Sequence, residues 1–198
     1  MTLPPTGGPT ALPDEWRFYL ASWVIQDGNY DDFVVGETRA FAVHLFNPIL
    51  KASPTRLTRV APLKDWQYEV GGEVVHVSRG LVLVDFGLMA YHEQGRIQAG
   101  NGEWLEGSLG LEVDCFRYYE VHAQVPGVPP AVYTWTIAGI SIETAPLVHD
   151  PARNMWIREE SQRAWSSISR TDAWHDDGGH AEYLLHCRLQ DIPPTFRP

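Results

Sequence analysis

Lysine is almost missing from this 198-residue chain: two of its fifteen basic residues are Lys, and the arginines form no run. Nucleic-acid binders neutralise phosphates with a clustered basic face. Here 25 acidic residues against 15 basic ones leave a formal charge of −10, which argues against nucleic acid as a partner. The field favours a small molecule or another protein with a basic surface. Cysteine is scarce as well. Cys115 and Cys187 sit in apolar strand-like runs without CxxC or Cys/His zinc spacing, so both are expected to be reduced and buried. No apolar run reaches the eighteen or so residues that a membrane helix needs, and no membrane association is expected. The first sixteen residues have neither a basic start nor a continuous apolar stretch, unlike a signal peptide. The expected location is the cytoplasm.

Catalytic signatures are equally sparse. The chain has no GxSxG, SxxK, P-loop, GxGxxG or HExxH. That leans the reading away from an enzyme, and no cofactor is expected.

What is present is 44% hydrophobic and 12% aromatic residues, including eight tryptophans, with only 20% charged. Such a chain buries roughly 70% of its unfolded surface and needs no staples. Residues 1–15, with four prolines, read as a flexible lead-in, and residues 16–198 as a single β domain. Trp16 to Gln26 is aromatic and β-branched and stops at Asp27-Gly28-Asn29, the pattern of a strand and turn. Glu37 to Phe46 is a second strand, ended by Asn47-Pro48. A short strand around Arg56 to Val60 and a longer one from Tyr68 to Ser78 follow, the latter kinked at Gly71-Gly72. Ala131 to Glu143 alternates well. Asp150-Pro151 resembles a helix start, and residues 151–164 suit a helix because Ala152, Met155 and Trp156 share a side. The runs flanking His175-Asp176-Asp177-Gly178-Gly179-His180 suggest a C-terminal hairpin. The expected class is all-β: a small antiparallel barrel, OB-like over residues 16–144, or a sandwich. Residues 145–198 would append the C-terminal hairpin and at most one short helix.

Residues 81–91 and 103–119 read as the two arms of a central hairpin. Side chains alternate faces along a strand. Val82, Val84, Phe86, Leu88 and Ala90 share the inner face with Leu105, Leu109, Leu111, Val113 and Cys115 only in one parity. The same parity gathers Asp85, Glu112 and Asp114 on the outer face, about 5–8 Å apart between neighbours. Facing carboxylates require water, an arginine, a cation or a retained proton. They are the candidate catalytic residues. Trp104, Glu106 and Tyr91, on the same face, are candidate binding residues. His44, His76, Glu120 and His122 are placed on strands and form the candidate metal set. The function expected is a non-enzymatic acidic β-barrel that binds a partner. The alternative is a metal- or carboxylate-dependent enzyme acting on a small molecule or sugar.

Overall fold

The aromatic and β-branched runs fold as strands. A computed structural model describes residues 12–78, 80–93, 95, 97–175 and 179–197. Six strands precede residue 100: β1 (Trp16–Ala21), β2 (Thr38–Ala52), β3 (Arg59–Pro62), β4 (Gln67–Ser78), β5 (Leu81–Asp85) and β6 (Met89–Glu93). Six follow: β7 (Trp104–Val113), β8 (Val132–Glu143), β9 (Leu147–Asp150), β10 (Met155–Arg158), β11 (Trp165–Ile168) and β12 (Glu182–Leu189). Ten of them form one sheet in the order β11-β8-β12-β1-β7-β2-β6-β5-β4-β3, while β9 and β10 pair separately. Additional pairings of β8 with β2 and of β7 with β4 bring the succession of strands back on itself. The sheet is mixed rather than purely antiparallel, because the bridges Tyr19–Glu112 and His44–Tyr91 are parallel.

The expectation of mostly β structure holds, and alternation located β8 to within a residue. The core gathers around tryptophan. Phe41 stacks on Trp135 with ring centroids 5.5 Å apart, and Phe18 meets the same indole edge-on at 4.8 Å. Trp16, Phe18, Phe41 and Trp135 are all buried. Each such side chain stabilises the fold by about 1.5–3 kcal/mol relative to exposure.

The central hairpin forms differently. Residues 81–91 are two strands, because the chain reverses at Phe86-Gly87-Leu88 and pairs β5 with β6. Gly87 takes φ 94° and donates its N–H to Asp85 Oδ1 at 2.8 Å, an aspartate-led turn inside an apolar run. Strand β7 then pairs with β2 and β4 instead of with 81–91. The inward set of Val82, Val84, Phe86, Leu88 and Ala90 is buried, but so are Leu81 and Leu83, so both faces of β5 are covered.

Other segments also differ. Trp16–Gln26 divides into β1 and a helical turn, α1 (Ser22–Gln26). That turn is fixed from a distance: Gln26 Nε2 donates to the carbonyls of Ala173 and Gly179 at 2.6 and 2.8 Å. Asn47-Pro48 is a bulge within β2, with Asn47 at φ 43°, and the strand continues to Ala52. Gly107 sits opposite at φ 149°, where a Cβ would overlap the Ile49 carbonyl. Residues 151–158 turn and return as β10, not as a helix. Asp150 Oδ1 accepts the Ala152 N–H at 2.9 Å, and Asn154 takes the left-handed φ of 52° that breaks a helix. The C-terminal runs do not pair with each other. β11 and β12 flank β8 on opposite sides, and the Asp176–Gly178 part of the expected turn lies outside the described residues. A second helical turn, α2 (Arg117–Glu120), and 3-10 turns at His122–Gln124 and Glu160–Gln162 exceed the single helix expected. Among the described residues no helix is long and apolar enough to cross a membrane.

Candidate functional site

Register partners across a sheet project to the same side. Tyr91 on β6, His44 on β2, Glu112 on β7 and Tyr19 on β1 are successive register partners, so they form a row across four strands. The row continues through Leu184 on β12 to Ser141 on β8. Two residues along, Ala21 pairs with Glu182, and the β12–β8 register sets Glu182 opposite Glu143. Its first four members, Tyr91, His44, Glu112 and Tyr19, form one wall of the candidate site.

His44 Nδ1–H donates to Glu112 Oε1 at 2.5 Å, a contact that fixes the ring's orientation. Its ring lies 4.9 Å from that of Tyr91 and 5.4 Å from that of His92. The Tyr91 hydroxyl donates to Asp114 Oδ1, an oxygen that also accepts the Arg117 N–H at 3.1 Å. Asp114 Oδ2 accepts the Tyr118 N–H at 3.1 Å. These bonds hold the start of α2, following Phe116 at φ 67°. Asp114 is buried, and desolvation pushes its carboxyl up to about 6 although all three donors pull the other way. The Tyr91 phenol is held protonated well above its ordinary value by its own burial and by Asp114.

In front of this network opens a cavity of about 360 Å³. His44, Tyr91 and Glu112 line it together with Tyr19, Trp23 and Cys115, and Glu93 and Arg117 stand at its wall. Trp23, on α1, is 49% exposed. Tyr19 packs its ring 4.8 Å from Trp66, and burial followed by the charges of Glu182 and Glu112 keeps its hydroxyl protonated. Arg117 Nε donates to Glu93 Oε1 at 2.8 Å. Burial, then Asp114, raises the Cys115 thiol above its ordinary value, which keeps it from being a thiolate nucleophile.

The expected trio of carboxylates does not assemble on one face. Glu112 lines the cavity, whereas Asp114 is buried behind it, bonded to the Tyr91 hydroxyl. Asp85 belongs to the β5–β6 turn, opposite Glu73. Its place in the trio depended on pairing 81–91 with 103–119. Glu143 and Glu182, at the far end of the row, were not anticipated. The Glu143 side chain is fully buried and accepts from Arg163 Nε at 3.1 Å. Burial and the neighbouring Glu143 push the Glu182 carboxyl upward.

Of the expected binding residues, Tyr91 lines the cavity. Trp104 is half-buried opposite Glu73, and Glu106 bonds Ser53 at 2.9 Å with Lys51 at 3.3 Å, so both lie elsewhere on β7. Cys115, expected on the buried face, is half-exposed at the cavity wall, because the chain leaves β7 at Val113. Of the metal set expected on strands, His44 and His76 are there, whereas Glu120 and His122 lie on α2 and the turn after it. His122 contacts the Tyr91 ring at 5.4 Å, and burial pushes its imidazole downward, toward the neutral form. His76 faces Leu83 on β5 and Glu120 is exposed. Among the described residues no three His, Cys, Asp or Glu side chains converge to hold a metal ion.

No protein-family model, curated protein or solved structure matches the chain.

Proposed function

We propose that this is a non-enzymatic binding protein whose cavity takes a positively charged group. That group belongs either to a small organic cation or to a basic side chain of a partner protein. The observation that carries the reading is the wall itself, where the carboxylates Glu112 and Glu93 stand beside the rings of Tyr19, Trp23 and Tyr91. Aromatic faces and carboxylates together attract cations, and attraction to a ring is worth about 0.5–2 kcal/mol depending on desolvation. A formal charge of −10 steers cations toward it from a distance. Nucleic acid and membranes are not among the partners proposed. Two free cysteines support a cytoplasmic setting. The two closed circuits of strand pairing support a barrel-like closure, within which the cavity occupies the seam where β1 meets β7.

The contact between His44 and Glu112 favours a second reading, a carboxylate-assisted enzyme acting on a small molecule, with His44 as general base. One experiment separates the two. Calorimetric titration with choline, spermidine and an N-acetyl-lysine amide is expected to give binding that neutral isosteres lack. The Glu112→Gln variant is expected to abolish it. Bound cation is also expected to slow modification of Cys115 by a thiol reagent, since that thiol lines the cavity and Cys187 is buried. Equal binding of neutral isosteres overturns the cationic reading. A bound compound recovered chemically changed by the wild type, and unchanged by His44→Gln, replaces it with the enzymatic one.

A further inference from the structure

The cavity is one end of a longer groove. Tyr19, Ala21 and Trp23 also line an adjoining cavity of about 280 Å³, whose far side is formed by His180 and Glu182. Those two residues in turn line a third cavity of about 590 Å³, bounded by Arg153, Trp156, Arg158 and Arg163. Shared lining residues make the three neighbours across β1, from β7 to β12 and on to the β9–β10 hairpin.

The two ends differ in charge. Glu93 and Glu112 gather at the first, facing Arg117 and His44. Three arginines and His180 gather at the other, facing Glu159 and Glu182. Arg158 donates to the Ala145 carbonyl at 2.7 Å, and Arg163 bonds Glu143. Arg153 is the most exposed of the three: its side chain is 71% accessible and its contact to Asp150 is 3.7 Å long. Exposed tryptophans flank the row, Trp23 at 49% between the first two cavities and Trp156 at 59% in the third.

Resting on the cationic-cavity reading above, we propose that the groove recognises an extended peptide segment of a partner protein. A Lys or Arg side chain of the segment enters the Glu112 cavity, and a carboxylate further along the segment reaches Arg153. Charge complementarity at both ends selects this occupant over a compact amine, which would fill only the first cavity. Length fixes the spacing. Glu112 and Glu182 are two strands and two residues apart, about 12 Å, and the width of the third cavity adds about 8 Å. An extended chain advances about 3.3 Å per residue, so the two charges are about five or six residues apart.

Fluorescence anisotropy of labelled peptides tests this. Peptides carry a lysine alone, an aspartate alone, or both separated by two, five or eight residues. The peptide with a separation of five is expected to bind at least tenfold more tightly than the lysine-only peptide. Arg153→Glu is expected to remove that gain and leave lysine-only binding unchanged, while Glu112→Gln weakens every lysine peptide. Arg153 is exposed enough for its replacement to spare the fold. If small amines bind but the second charge adds nothing at any spacing, or Arg153→Glu changes nothing, the groove proposal falls and the cavity reading stands. If neither amines nor lysine peptides bind, both fall.

Discussion

Asp114 makes stability fall as pH rises through the weakly acidic range. Its carboxyl is raised from 3.8 in the unfolded chain to about 6 in the fold, mainly by desolvation. Well below pH 4 it is protonated in both states and has no effect. Between pH 4 and 6 the unfolded chain loses this proton before the folded one does, so the unfolded state binds fewer protons and becomes favoured. Above pH 6 the penalty is complete. A shift of roughly two units corresponds to about 3 kcal/mol. Urea denaturation of the wild type and Asp114→Asn at pH 4 and pH 7 isolates the contribution, because the other titrating groups are common to both proteins. The variant loses an acceptor for the Tyr118 N–H, a cost nearly independent of pH. The difference in unfolding free energy, wild type minus variant, is therefore expected to fall by about 2 kcal/mol between pH 4 and pH 7, since the unfolded carboxyl is already more than half ionised at pH 4. A constant difference would refute the claim that burial outweighs the three hydrogen-bond donors.

Tyr91→Phe removes one of those donors. It is expected to destabilise by about 1–3 kcal/mol and to move the pH-dependent loss to higher pH, read by the same denaturation series. Arg163→Ala leaves the buried Glu143 carboxylate without its guanidinium, a loss of about 3–5 kcal/mol by the usual cost of orphaning a buried charge. Glu143→Gln is expected to restore most of it, and failure of that rescue in thermal melts would show that Arg163 acts through packing on Trp66 instead. Gly107→Ala forces a Cβ into the Ile49 carbonyl where the β2 bulge crosses β7. It is expected to lower stability by about 1–3 kcal/mol, whereas the same change at the open turn position Gly36 costs less. In native protein one thiol of the two, Cys115, is expected to react with a thiol reagent, and slowly at neutral pH because burial raises it. Loss of that reaction in Cys115→Ser confirms the assignment, and prompt reaction of Cys187 contradicts it.

Local pattern was enough to find most of the strands and many of the buried residues, although Leu81 and Leu83, on the expected outer face, are buried too. Val82 to Ala90 and Leu105 to Val113 are buried as their alternation requires, and Val132–Glu143 was found because its faces differ in polarity. Local chemistry misled where one short signal interrupts an apolar run. Asp85 and Gly87 turn the chain inside a sequence otherwise indistinguishable from one strand, and Asp150 with Asn154 builds a hairpin where a proline suggested a helix.

The site depended on choices that no local pattern encodes. Backbone groups of any strand offer the same hydrogen bonds to any other, so His44 meets Glu112 only because β2, and not 81–91, pairs with β7. Glu182 faces Glu143 because β12 lies beside β8 across the whole C-terminal half of the chain. Composition and alternation determined a negatively charged, aromatic-rich β protein with a definite inner face. Strand pairing over long sequence separations decided which carboxylates, rings and arginines share a groove, since that depends on the fit of the assembled core rather than on the preferences of any one segment.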